Sequence, residues 1–142
     1  MSTYSTFKTD TMKERQGVWH DLGDAGAFLL GRAGGSNVGF GKKLATLTTP
    51  HRRAIQHGEM REELANSILI QVYAENVVLA WEGVTDSAGQ PLPFNKENCI
   101  KLLSDLPDLF VEIKRFAENS TLYREELQKA DSENLSSPSS IA

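Results

Sequence analysis

The chain has 142 residues, 39% of them hydrophobic and 24% charged, with a net charge of -4; that size and balance suit one globular domain with its own core. The acidic balance excludes a general binder of the nucleic-acid backbone, which needs a cationic surface. The single cysteine, Cys99, excludes an internal disulfide framework, and no apolar run is long and clean enough to span a bilayer.

Residues 1–16 are rich in Ser, Thr and charge and read as a flexible N-terminal arm, with no apolar segment that could serve as a secretory signal. From Gly17 two short apolar runs, Val18–Leu22 and Ala27–Leu30, flank the turn-like Gly23-Asp24-Ala25-Gly26. This spacing predicts a β-hairpin over about 17–31, with Trp19 and Phe28 packed together across its strands.

Five glycines follow between Gly31 and Gly41. A phosphate loop would need Gly, four residues, then Gly-Lys-Ser/Thr, and Lys43 stands where the hydroxyl residue belongs. The run is therefore expected to be a flexible connection into a helix. Phe40, Leu44 and Leu47 recur at helical spacing up to Pro50, which begins a short helix through Arg52, Arg53 and Ile55, with Thr49 as its N-cap. The longest predicted helix runs from about Glu59 to Glu82. Its apolar residues spread around most of the circumference after Ile68, the mark of a buried central helix.

In "AWEGVTDSAGQPLPFNKEN", residues 80–98, a calcium loop fails: counting from Asp86, alanine falls at the third position, where an oxygen ligand is required. A turn fits instead, with Asp86 bonding its own backbone and Gly89 at positive φ. Asn95 caps a helix over about Lys96–Ser104, with Phe94 placed as a hydrophobic staple toward Cys99. Leu106, Leu109, Phe110, Ile113, Phe116 and Ala117 then define the cleanest amphipathic helix. A last helix restarts at Ser120 or Thr121 and carries Leu122, Tyr123 and Leu127. The Ser-rich tail, 131–142, is expected to be disordered. The fold class is thus mainly α: one helical domain over 17–130, with a small N-terminal hairpin, helices over about 37–130, and disordered termini.

The chemical inventory is sparse. His20, His51 and His57 have no metal-ligand spacing, and Cys99 reads as a small core residue. Arg52, Arg53 and Arg61 near Lys42 and Lys43 are diluted by Glu59, Glu62 and Glu63, so solvated helix faces fit better than a nucleic-acid site. No Ser/His/carboxylate arrangement marks a nucleophile. The expectation is a binding protein, not an enzyme, with no cofactor, no metal, no nucleic-acid partner and no membrane contact.

The stretch "LAWEGVTDSAGQPLPFNKENCIKLLSDLPDLFVEI" resembles the tail assembly chaperones of long-tailed, siphovirus-like bacteriophages. The features that carry the likeness are Trp81-Glu82-Gly83-Val84, Asp86 and Gly89, Pro93-Phe94, Leu102-Leu103 and Pro107-Asp108-Leu109. The upstream segment with Arg32 and Asn37 also looks like small phage tail proteins. The resemblance implies a non-enzymatic protein of the host cytoplasm that binds the tape measure protein, keeps it soluble, and brings tail-tube protein to it. A structural minor tail or head–tail joining protein of the virion is the alternative. The partner-binding candidates are Trp81, Phe94, Phe110 and Phe116, on a hinge surface that a client or a homo-oligomer could share.

Overall fold

The computed structural model describes residues 2–125. Two short helices, α1 (Thr3–Phe7) and α2 (Thr11–Gln16), lead into β1 (Val18–Asp21) and β2 (Ala27–Leu30). Helices α3 (Val38–Thr48), α4 (Arg52–Gln56) and α5 (Glu62–Asn76) follow, then β3 (Val78–Glu82), α6 (Lys96–Asp105) and α7 (Pro107–Glu118). A single 3₁₀ turn, Ser120–Tyr123, ends the described chain. The three strands form one antiparallel sheet in the order β1-β2-β3.

The fold class expected from the sequence is corrected here. Helices hold most of the residues, but the architecture is α+β, because the hairpin gains a third strand from within the segment read as the long helix. That helix stops at Asn76, and Val78–Glu82 pairs with β2. The physical cause is local: an apolar run rich in β-branched residues, Val77-Val78-Leu79-Ala80-Trp81, satisfies a buried strand as well as a buried helix. Pairing with β2 decides between them.

The expected disordered N-terminus is corrected too. Asp10 caps α2 by accepting from the amides of Met12 and Lys13, and Glu14 is 1% exposed. Its carboxylate accepts from Arg32 at 2.6 Å, from Ser36 at 3.0 Å and from Thr9 at 3.0 Å. The amide of Asp10 donates to the Tyr123 carbonyl at 2.8 Å, so the segment is pinned at both ends. The tail 131–142 and Leu127 lie outside the described residues.

The glycine run is accordingly no loose connector. Gly35 has φ +56°, and a side chain there would collide with the Glu14 carboxylate; the loop folds around that buried charge. The Asn37 side-chain amide donates to the carbonyls of Arg32 and Asn76, at 2.8 and 2.9 Å, and fixes the entry to α3.

The core lies between one sheet face and helices α5, α6 and α7. Phe28, Leu30, Val78 and Trp81 of the sheet pack with Tyr73, Leu103, Phe110 and Ile113. Tyr73 is its aromatic hub, edge-on to Phe40 at 5.7 Å and to Phe110 at 5.2 Å between ring centroids. The Tyr123 hydroxyl donates to the Leu30 carbonyl at 3.0 Å and closes the base of β2.

Helices α6 and α7 form within one or two residues of their expected bounds. The Asn95 side chain accepts from the Asn98 amide at 2.7 Å, as an N-cap should. Asn95→Ala is expected to lower stability by about 1 kcal/mol, read as a shift of the urea midpoint at unchanged slope. The Asp86 turn forms as well: its carboxylate accepts from Ala88 and Gln90, both at 2.9 Å, and Gly89 has φ +79°. Ser120–Tyr123 is a 3₁₀ turn where a longer helix was expected. Thr49 makes no capping bond; its hydroxyl donates back to the Ala45 carbonyl.

Candidate interaction surfaces

The register of the sheet determines which aromatic side chains meet solvent. Trp19 pairs with Leu29, and His20 with Phe28. Successive side chains on a strand point to opposite faces, so the expected Trp19–Phe28 contact does not form. Phe28 is fully buried, whereas Trp19 is 45% exposed on the other side of the sheet. On that outer face Trp19 stands in a row with Leu29 and Ala80. Leu79 is the extra residue of a β-bulge beside Leu29. Gly17 sits against the side chains of both Leu29 and Leu79, which places the two leucines together on this face.

The next outward row is Asp21, Ala27 and Glu82. The outer face is therefore an apolar strip, half-open to solvent, with carboxylates at its hairpin end. Leu29, Leu79 and Ala80 are only partly buried, because a three-stranded sheet covered by helices on one side leaves its second face open.

The four aromatic candidates fall into separate groups. Trp81 is 9% exposed, edge-on to Phe28 at 6.1 Å and to Phe94 at 4.9 Å. Its indole N–H donates to the Leu92 carbonyl at 2.8 Å, tying the 83–95 loop to the sheet. Phe94 keeps 38% of its surface open, while Phe110 keeps 2%. Phe116 stacks on His20 at 4.2 Å and meets Tyr123 edge-on. The structure joins Trp81 to Phe94, but it places Phe110 with Tyr73 and Phe116 with His20 instead. Phe94 is the only one of the four with a large open area.

The ionisable groups serve the architecture. Burial alone would raise the Glu14 carboxyl, but the hydrogen bonds from Arg32, Ser36 and Thr9 outweigh it and hold the group below the usual carboxylate range. Glu75 follows the same pattern: burial opposes, and Lys96 at 2.8 Å and Lys43 at 3.3 Å win. Glu75 thereby links α3, α5 and α6. Cys99 is fully buried, and desolvation pushes its thiol up to about 12. At neutral pH it is a protonated core group rather than a nucleophile. His20 contacts Glu112 at 3.3 Å. Among the described residues no three His, Cys, Asp or Glu side chains converge as a metal-ligand group, and no helix is long and apolar enough to cross a membrane.

Sequence reasoning missed Trp19 as a surface residue and Glu14 as a buried one. The first was legible in principle: strict alternation from the buried Phe28 through a tight hairpin puts Trp19 outside. No local signal marks the second, because Arg32 lies 18 residues away.

These features define the class as a small α+β protein, a three-stranded antiparallel sheet backed on one face by helices. The family model of the YdaY prophage proteins matches residues 35–134. The chain belongs to that family, and its origin is phage. No curated protein and no solved structure matches it. The family match begins after β2, so the hairpin that carries Trp19 lies outside the matched residues.

Proposed function

We propose that this prophage protein is a tail assembly chaperone. It binds apolar helices of the tape measure protein in the host cytoplasm, keeps that long partner soluble, and promotes assembly of tail-tube subunits around it. It carries out no reaction and needs no cofactor. The observation that supports this reading best is the outer sheet face, where Trp19, Leu29, Leu79 and Ala80 form an open apolar strip with Asp21 and Glu82 at one end. An amphipathic helix laid on that strip would bury its apolar side, and the acidic end would favour a basic or N-terminal helix segment. The resemblance of residues 79–113 to tail assembly chaperones supports the same role.

Co-expression with the tape measure protein of the same prophage is the test. The expected result is a soluble complex that survives chromatography. If the partner stays insoluble and no complex is recovered, the chaperone reading is abandoned. Recovery of the chain in purified virions by mass spectrometry would point instead to a minor tail or head–tail joining subunit.

The site makes a sharper claim. Trp19→Asp is expected to weaken client binding by roughly thirtyfold, the effect of losing a central aromatic anchor. Stability should fall by only about 1 kcal/mol, the cost of replacing a half-exposed strand aromatic by Asp. Titration calorimetry and urea unfolding of the same variant check the two halves.

A further inference from the structure

Charge is unevenly distributed along this chain. Between Asp24 and Glu59 there is no carboxylate, yet Arg32, Lys42, Lys43, Arg52 and Arg53 fall in that interval. Arg32 and Lys43 are engaged by Glu14 and Glu75. Lys42, Arg52 and Arg53 are exposed, and none of them makes an ion pair among the described residues. They belong to the hook formed by α3 and α4, in which no residue is fully buried. Ile55 is 45% exposed on this hook, beside a shallow depression of about 200 Å³ shared with Ala45 and Thr48. The hook is cationic, with an open branched aliphatic side chain.

The complementary composition lies between the 83–95 loop and the C-terminal half of α6. A groove of about 260 Å³ is lined by Leu92, Leu102 and Leu106, with Asp86, Asp105 and Lys101 also in its walls. Lys101 pairs with Asp105 at 2.7 Å, and the Asp105 side chain stays 57% exposed, so a guanidinium can compete for it. Leu106 is 47% exposed, and Asp108, in the first turn of α7 beside it, is exposed without an ion pair among the described residues. The two depressions share no lining residue, so one copy presents hook and groove as two different surfaces.

We propose that hook and groove bind each other between copies: the α3–α4 hook of one chain docks in the groove between the 83–95 loop and α6 of the next. Ile55 enters the leucine-lined groove, and Arg52 and Arg53 face Asp105 and Asp108. Opposite charges at the rim set the orientation, speed the encounter and supply a salt-sensitive share of the affinity, while the buried aliphatic contact supplies the rest. The interface joins two different patches, so it is heterologous and propagates into a ring or an open row. A nucleic acid would satisfy the hook cations but leave Ile55 without an apolar partner, and the net charge of -4 opposes it. Trp19 lies outside both surfaces, so this association is independent of client binding and survives Trp19→Asp.

Sedimentation of the full chain over a range of concentrations tests the proposal through a pair of charge reversals. Wild-type mass should rise above 15.7 kDa with concentration at low salt. It should fall toward one chain in concentrated salt, where the Debye length drops to about 3 Å. The R52E/R53E and D105R/D108R variants should each sediment as single chains, since each sets like charges against each other. An equimolar mixture should regain the wild-type mass, because every hook then meets a groove of opposite sign. Circular dichroism confirms that both variants are folded. A wild-type mass of one chain at all concentrations would overturn the proposal. So would variants that assemble like wild type, a mixture that stays monomeric, or a hook that retains duplex DNA while the chain sediments as a monomer.

Discussion

Glu14→Ala should destabilise the protein by about 3–5 kcal/mol, the cost of leaving one partner of a buried ion pair alone. The lower end applies because the Arg32 side chain retains 22% of its exposure and can rehydrate in part. The loss is large because a single carboxylate holds three segments together. It accepts from Thr9 before α2, from Arg32 after β2, and from Ser36 before α3. Acidification provides an independent check. The folded-state pKa of Glu14 is depressed, so its contribution is fully present above the ordinary carboxylate range and is lost as pH falls through the lower folded value. The gap between wild type and Glu14→Ala should therefore be widest near neutrality and narrow in acid. Urea unfolding at several pH values measures it. A gap that widens in acid would contradict the account.

Trp81→Ala is expected to cost a similar amount, about 3–5 kcal/mol, because it empties a large volume between sheet and loop. Trp81 packs edge-on between Phe28 and Phe94, and its N–H holds the Leu92 carbonyl. The two contributions separate in Trp81→Phe, which keeps most of the apolar volume and deletes the hydrogen bond. That variant should lose roughly 1–2 kcal/mol, with the Leu92 carbonyl left to find water. Guanidinium unfolding of both variants gives the comparison. Equal losses would mean that the hydrogen bond, not the packing, holds the loop.

Helices α6 and α7 were legible because their information is local. Asn95 caps one, Pro107 opens the other, and the apolar spacing of Leu109, Phe110 and Ile113 repeats within a few residues. The turn at Asp86 and Gly89 was legible for the same reason. The strand Val78–Glu82 was not, because its sequence suits helix and strand equally and its partner, β2, lies some fifty residues upstream. The folded N-terminus was hidden by distance too: nothing in "TDTMKERQG" shows that Glu14 will meet Arg32 in the interior. At the candidate site, aromatic content alone could not rank the side chains. Phe110 is aromatic and apolar, and it turned out to serve the core, as Trp81 does through most of its surface. Trp19 looked like a core residue until the register of β1 turned it outward.

The open face around Trp19 is the centre of the functional proposal, and its own fluorescence tests it most directly. The chain has two tryptophans, so Trp81→Phe leaves Trp19 as the sole indole reporter. Addition of a tape measure segment free of tryptophan should shift the Trp19 emission to shorter wavelength, saturably and in step with complex formation, as a client helix excludes water from the strip. A complex that forms while the Trp19 emission stays unchanged would contradict the outer sheet face as the docking surface, and failure to form any complex would contradict the chaperone reading itself.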